Sequence, residues 1–130
     1  MKEYVVNHCT VTPVRQEPSE GSEQLTQLLF GEMCEVLDRR PRWTKVRSSV
    51  DGQVGWVDFK MLSPTNTPYS ISNIQTIVAV PVAAATDMET GDEWMLTLGT
   101  RLPNYAHGTF EVLGKQYLID PNCVNNIEIL

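Results

Sequence analysis

Pro13-Val14, followed by Leu28 and Gly31, returns 68 positions later as Pro81-Val82, followed by Leu96 and Gly99. A second block repeats at a spacing of 62: Gly52, Val57, Asp58 and Leu62 correspond to Gly114, Ile119, Asp120 and Val124. Both blocks are collinear. The chain of 130 residues therefore reads as two copies of one small unit, the second six residues shorter in one loop, and a repeat of that size is a duplicated domain. Units this small bury a modest fraction of their surface, so the two are expected to pack on each other.

Around these blocks the texture is all-β. Short β-branched runs alternate with turn residues every 8–12 positions, the pattern of small barrels and sandwiches. Expected strands run over Tyr4–Val14, Leu25–Phe30, Glu32–Leu37, Trp43–Arg47 and Val54–Asp58, with Asp51-Gly52 in a hairpin turn and a short helical turn over Phe59–Leu62. Asp-Gly supplies the positive φ such a turn needs. The second unit is expected to carry a strand over Thr76–Val82, a loop over Ala83–Asp92, a strand over Glu93–Leu98, a hairpin around Gly114 and a helical turn at Pro121–Val124. Nothing sustains a 3.6-residue period, so long helices are not expected. The expected organisation is a first domain over 1–64, a Pro/Ser/Thr/Asn-rich linker over 65–75 and a second domain over 76–130.

Composition excludes several classes. Hydrophobic content of 42% and charged content of 20% are those of a globular chain. The longest apolar run, Ile77–Ala85, is broken by Pro81 and falls short of a membrane span. Net charge is −6, most of it after residue 64, and an acidic chain is a poor partner for nucleic acid. The cluster Arg39, Arg40, Arg42, Lys45 and Arg47 reads as a solvated hairpin loop, with a site for a carboxylate-bearing ligand as the alternative. No leader-like apolar segment follows Met1, which is consistent with a cytoplasmic protein or with an envelope protein whose leader has been removed. The apolar end, Ile127-Glu128-Ile129-Leu130, suggests a polypeptide that continues.

Catalytic chemistry finds little support. The three cysteines, Cys9, Cys34 and Cys123, have no disulfide or zinc spacing. Cys34 alternates with Val36 and reads as a small buried hydrophobe. A thiol nucleophile needs a base within reach. His8 neighbours Cys9, so on a strand the two point to opposite faces, and His107 lies in a turn-like stretch before Gly108. No metal or other cofactor is expected. Recognition remains: the aromatic residues Trp43, Trp56 and Tyr4, with Glu17 and Asp51 as polar neighbours, are the candidate ligand-binding residues.

Thr12-Pro13-Val14-Arg15, Glu17-Pro18-Ser19, Leu28-Leu29-Phe30-Gly31-Glu32, Trp43, Asp51-Gly52 and Gly55-Trp56-Val57 together resemble a bacterial SH3-like (SH3b) domain. Gly99-Thr100-Arg101-Leu102-Pro103-Asn104-Tyr105 resembles the divergent second SH3b unit of NlpC-type cell-wall cysteine endopeptidases, although Leu118-Ile119 stand where the first unit has Trp56-Val57. The resemblance implies two small SH3-like barrels in tandem. It implies a non-catalytic module that targets peptidoglycan peptides or gates their access to a peptidase domain, with those peptides or that domain as partners. None of the cysteines has the Asp-Cys-Ser-Gly context of that family's nucleophile. The alternative is a free-standing protein-interaction module with no cell-wall ligand.

Overall fold

The computed structural model describes residues 2–69 and 73–127. The chain divides into two compact units, Met1–Tyr69 and Ser70–Leu130. Both are built from strands and 3-10 turns, with no α-helix among the described residues, and no helix is long and apolar enough to cross a membrane. The expected all-β, SH3-like class is what is observed. The strand-like apolar end from which a continuing polypeptide is expected falls at residues 128–130, outside the described residues.

The first unit contains β1 (Tyr4–Asn7), β2 (Val11–Arg15), β3 (Gln24–Leu29), β4 (Met33–Arg39), β5 (Trp43–Ser48), β6 (Val54–Asp58) and β7 (Leu62–Thr65). They form one antiparallel sheet in the order β3-β2-β6-β5-β4-β1-β7. The expected single strand over Tyr4–Val14 is two strands, because the chain turns a corner at His8–Thr10 between β1 and β2. Val5, Val14, Leu28, Cys34, Val46 and Val57, one from each of β1 to β6, meet in one buried cluster. Alternation along each strand sends these side chains to one face, and the sheet curls until they touch. Part of the expected linker belongs here: β7 pairs with β1 out to Thr65, and the Tyr69 hydroxyl donates to the Gly31 carbonyl. Burial raises the Tyr69 phenol pKa above its ordinary value, with Glu32 and Cys34 adding to the shift.

Asn7, at the end of β1, is fully buried and ties the corner together. Its side-chain nitrogen donates to the carbonyls of Cys9, Leu28 and Leu29 at 2.9, 3.2 and 3.0 Å. Its oxygen accepts from Thr12 Oγ1 at 2.8 Å and from the Cys9 amide at 3.2 Å. Its own amide donates to the Glu32 carbonyl, and its carbonyl accepts from the Gly31 amide. The β3–β4 turn depends on Gly31 at φ 80°, a conformation glycine adopts without steric cost.

In the second unit, β8 (Thr76–Val78) pairs with β13 (Val124–Asn126). A four-stranded sheet runs β10-β9-β12-β11, from β9 (Val82–Asp87), β10 (Glu93–Thr97), β11 (Thr109–Val112) and β12 (Lys115–Ile119). The expectation of a loop over Ala83–Asp92 is corrected: residues 82–87 are strand, paired with β10 and β12. Alanine has poor β propensity, so pairing and burial rather than propensity set this strand. Ala83 and Ala85 are buried on the face that also holds Leu96 and Ile119, while Ala84 points outward. The strand expected over Thr76–Val82 is interrupted at Ala79–Pro81. Phe110 and Tyr117, paired across β11–β12, stack with ring centroids 5.2 Å apart. Asp87 caps the β9–β10 turn. The Glu89 amide holds its carboxyl below the usual range, the Thr90 amide and Lys115 help, and burial opposes.

The two units share a set of bonds. The Gly99 amide donates to the Val78 carbonyl at 2.9 Å and Val78 to the Thr100 carbonyl at 2.9 Å, as Gly31 and Asn7 do with Asn7 and Glu32 at 2.8 and 2.9 Å. Asp58 and Asp120 each cap a 3-10 turn by accepting the amide two residues on.

Two predictions follow from these geometries. Asn7→Ala strands Thr12 Oγ1 and buried carbonyls, each worth about 1–3 kcal/mol when unsatisfied. Urea unfolding should show a loss of at least about 2 kcal/mol, whereas an unchanged midpoint would mean that water replaces the amide. In the β11–β12 turn, Leu113 at φ 53° precedes Gly114 at φ 76°, a two-residue hairpin turn that favours Asn-Gly. Leu113 is partly exposed, so Leu113→Asn should stabilise by roughly 1 kcal/mol, since a left-handed non-glycine residue costs about 1–2 kcal/mol and asparagine tolerates it best; a lowered Tm would contradict this.

Candidate functional site

Strand alternation builds the outer face of the first unit. Thr44, Val46 and Ser48 of β5 are buried toward the core side, leaving Trp43, Lys45 and Arg47 on the other face. On β6, Gly55 and Val57 face inward and Trp56 and Asp58 outward. Register then pairs Trp43 with Asp58 and Lys45 with Trp56, while Arg15 of β2 lies opposite Trp56. Gly55 makes this approach possible. A Cβ there would lie 2.5 Å from Val14 Cγ1 and 2.8 Å from the Arg15 carbonyl oxygen, so only glycine lets β2 come alongside β6.

Both indoles lie on the outer face, yet Trp43 is 9% and Trp56 7% exposed, because cations cover them. The Arg40 guanidinium carbon is 5.3 Å from the Trp56 ring centroid, Lys45 Nζ is 5.9 Å from the same ring, and the Arg42 guanidinium carbon is 5.4 Å from Trp43. Carboxylates in turn hold the arginines. Arg39 meets Glu3, Arg40 meets Asp38, and Arg47 meets Glu35. Arg42 meets both Glu20 and Asp58, and these partners, Glu20 first, raise its pKa above the ordinary value. The basic cluster, read as a solvated hairpin loop or a carboxylate-ligand site, has each of its four arginines paired with an acid of the protein.

A cleft of about 80 Å³ opens beside Trp43, lined by Thr12, Pro13, Arg15, Glu20, Trp43, Asp58 and Met61. Of the residues expected to bind ligand, Trp43 lines it and Trp56 shares its face. Asp51 sits at the tip of the β5–β6 hairpin, where its carboxylate accepts the Gln53 amide, at the opposite end of β5 from Trp43. Glu17 is exposed in the β2–β3 loop, its amide bonded to Ser22 Oγ. Tyr4 lines a separate groove with Pro64, Thr65, Asn66 and Pro68. Glu20 and Asp58 were not among the expected site residues. Counting outward from the Asp51-Gly52 turn puts Asp58 opposite Lys45, two residues off the observed pairing with Trp43, and Glu20 comes from a loop that no local pattern places.

The thiols have other neighbours. Cys9 Sγ lies 3.4 Å from Met61 Sδ, and His8 Nδ1 is 2.7 Å from Ser63 Oγ. Cys34 is fully buried; burial, then Glu32 and Asp51, push its thiol pKa up to about 12, far from the range of a reactive thiolate. Among the described residues no group of three or more His, Cys, Asp or Glu side chains is placed to hold a metal.

With this geometry in view, residues 14–62 match the family model of the bacterial dipeptidyl-peptidase SH3 domain. The crystal structure of an NlpC/P60 family protein from Bacillus cereus ATCC 10987 is similar in fold, with a TM-score of 0.78 at 16% identity, over 95% of this chain and 56% of that one. The chain thus spans little more than half the length of that neighbour. No curated protein matches it. The first unit is similar to an SH3 domain of peptidase-associated type, and the resemblance to the SH3b region of NlpC-type endopeptidases is borne out.

Trp56→Ala should cost roughly 3–5 kcal/mol, as truncation of a buried large aromatic does, because the ring is sealed by Arg40 and Lys45. A thermal melt within a degree or two of wild type would instead make the ring a platform kept for a ligand.

Proposed function

We propose that this chain is the non-catalytic, tandem SH3b module of an NlpC-type cysteine endopeptidase, and that it targets peptidoglycan peptides or gates their access to the peptidase domain. The observation that carries this reading is the pairing of an SH3 match over residues 14–62 with a fold likeness over 95% of the chain to about half of an NlpC/P60 protein. The second unit is read as a divergent copy of the first, which the shared glycine-turn and aspartate-cap bonds support. The ligand face is read as the outer face of the first unit at Trp43 and Trp56. The second unit has Leu118 opposite Thr86 where the first has Trp56 opposite Arg15, and residues 65–130 carry a net charge of −5, unfavourable for anionic peptides.

A muropeptide titration followed by amide and indole NMR shifts tests this reading. A shallow aromatic face supports millimolar to micromolar binding, about −4 to −8 kcal/mol. Shifts are expected at Trp43, Trp56 and their strand neighbours. No shift at millimolar ligand, or shifts confined to the second unit, would favour a protein-interaction module without a wall ligand.

A further inference from the structure

The charged groups at Trp43 do more than the fold asks of them. Asp58 Oδ1 caps the 3-10 turn by accepting the Lys60 amide at 3.0 Å. In the second unit, Asp120 does the same for Asn122 at 2.9 Å, so capping accounts for one oxygen of each aspartate. The other oxygen of Asp58 faces Arg42, whose Nε donates to Oδ2 at 3.2 Å. Arg42 Nη2 also binds Glu20 Oε1, and the guanidinium lies over the Trp43 ring. An aromatic face with two convergent carboxylates is the chemistry of a cation site, and here a side chain of the protein fills it. That side chain reaches the site from solvent, and its backbone does not depend on it. It is 45% exposed and Glu20 69%, so that pair is open to solvent and weak; Asp58 is 12% exposed and its pair is better shielded; and the backbone is anchored separately, the Arg42 carbonyl accepting the Phe59 amide at 3.0 Å. Beside it lies the cleft between Pro13, Arg15, Glu20 and Met61. The one cation lining that cleft, Arg15, donates Nη1 to the Ser22 carbonyl at 3.1 Å. With Arg42 withdrawn, Glu20 and Asp58 line the cleft in company with Arg15 alone among its cations.

We propose that Trp43, Asp58 and Glu20 form a subsite for a guanidinium or primary ammonium group at the end of a flexible chain, and that Arg42 is its resident occupant, displaced when such a ligand enters. The inference rests on the reading of the first unit as a peptide-binding module only for the identity of the natural ligand. A tethered occupant competes at a high effective concentration, so its removal should reveal the site.

The probes are ethylguanidinium and ethylammonium chloride at constant ionic strength, read by the Trp43 indole N–H shift in the full chain. Arg42→Ala should bind either probe at least about tenfold more tightly than wild type, and Arg42→Lys should behave as wild type. Adding Asp58→Asn to Arg42→Ala keeps a capping oxygen, so the fold survives, yet should reverse the gain. Arg42→Gln serves as a second opening variant should Arg42→Ala lower the Tm below the titration temperature. Equal binding by wild type and the opened variants, or a gain that Asp58→Asn does not touch, overturns the proposal. If muropeptides fail to bind while the small cations bind the opened variant, the peptidoglycan reading falls and the cation subsite stands; the reverse result removes the subsite alone.

Discussion

The buried amide of Asn7 holds the corner of the first unit. Five hydrogen bonds from one side chain reach the β1–β2 connection, the end of β3 and Thr12 of β2. Two more from its backbone reach the glycine turn before β4. Backbone polar groups at a buried corner have no water to meet, and leaving them unpaired is costly. The second unit solves the same corner more cheaply. Val78 makes the same two backbone bonds across a connection of equal length, three residues in each unit, with an apolar side chain where the first unit has an amide.

A second constraint, the contact of Gly55 with Val14 and the Arg15 carbonyl, shapes the outer face. It brings β2 against β6 and sets Arg15 beside Trp56. From there the face is assembled from distant parts. The β4–β5 loop delivers Arg40 and Arg42 onto the two rings, and the β2–β3 loop delivers Glu20 to Arg42. The second unit has the strands of this face without the cationic loop. Its counterpart presents exposed Val82, Met95 and Leu118. Similar strand pairings thus support two chemically different surfaces, and the SH3 family match is to the first.

Much of the strand pattern was legible. Val54–Asp58, the Asp51-Gly52 turn, both glycine turns and both 3-10 turns are punctuated by residues whose local conformation is nearly obligatory, glycine at positive φ and aspartate at a cap. The alanine strand Val82–Asp87 was missed because alanine has poor β propensity; its pairing with β10 and β12 and the burial of Ala83 and Ala85 are tertiary facts that the local sequence does not display. The site was half legible. The indoles were evident as aromatic residues, but Asp51, Glu17 and Tyr4 lie away from the cleft, because closeness in sequence is not closeness on a curled sheet.

By itself, then, the amino-acid sequence determined the all-β class, the turn positions and the SH3b resemblance. Each depends on short-range patterns: alternation, glycine and aspartate at turns, and a few motif residues. Tertiary structure alone decided which charges meet which rings. Arg42, Glu20 and Asp58 are separated by up to 38 positions along the chain and converge only after strand register and loop closure have been set. Ion pairs and cation–π contacts act over a few ångströms, and no local pattern encodes distances of that kind between remote segments.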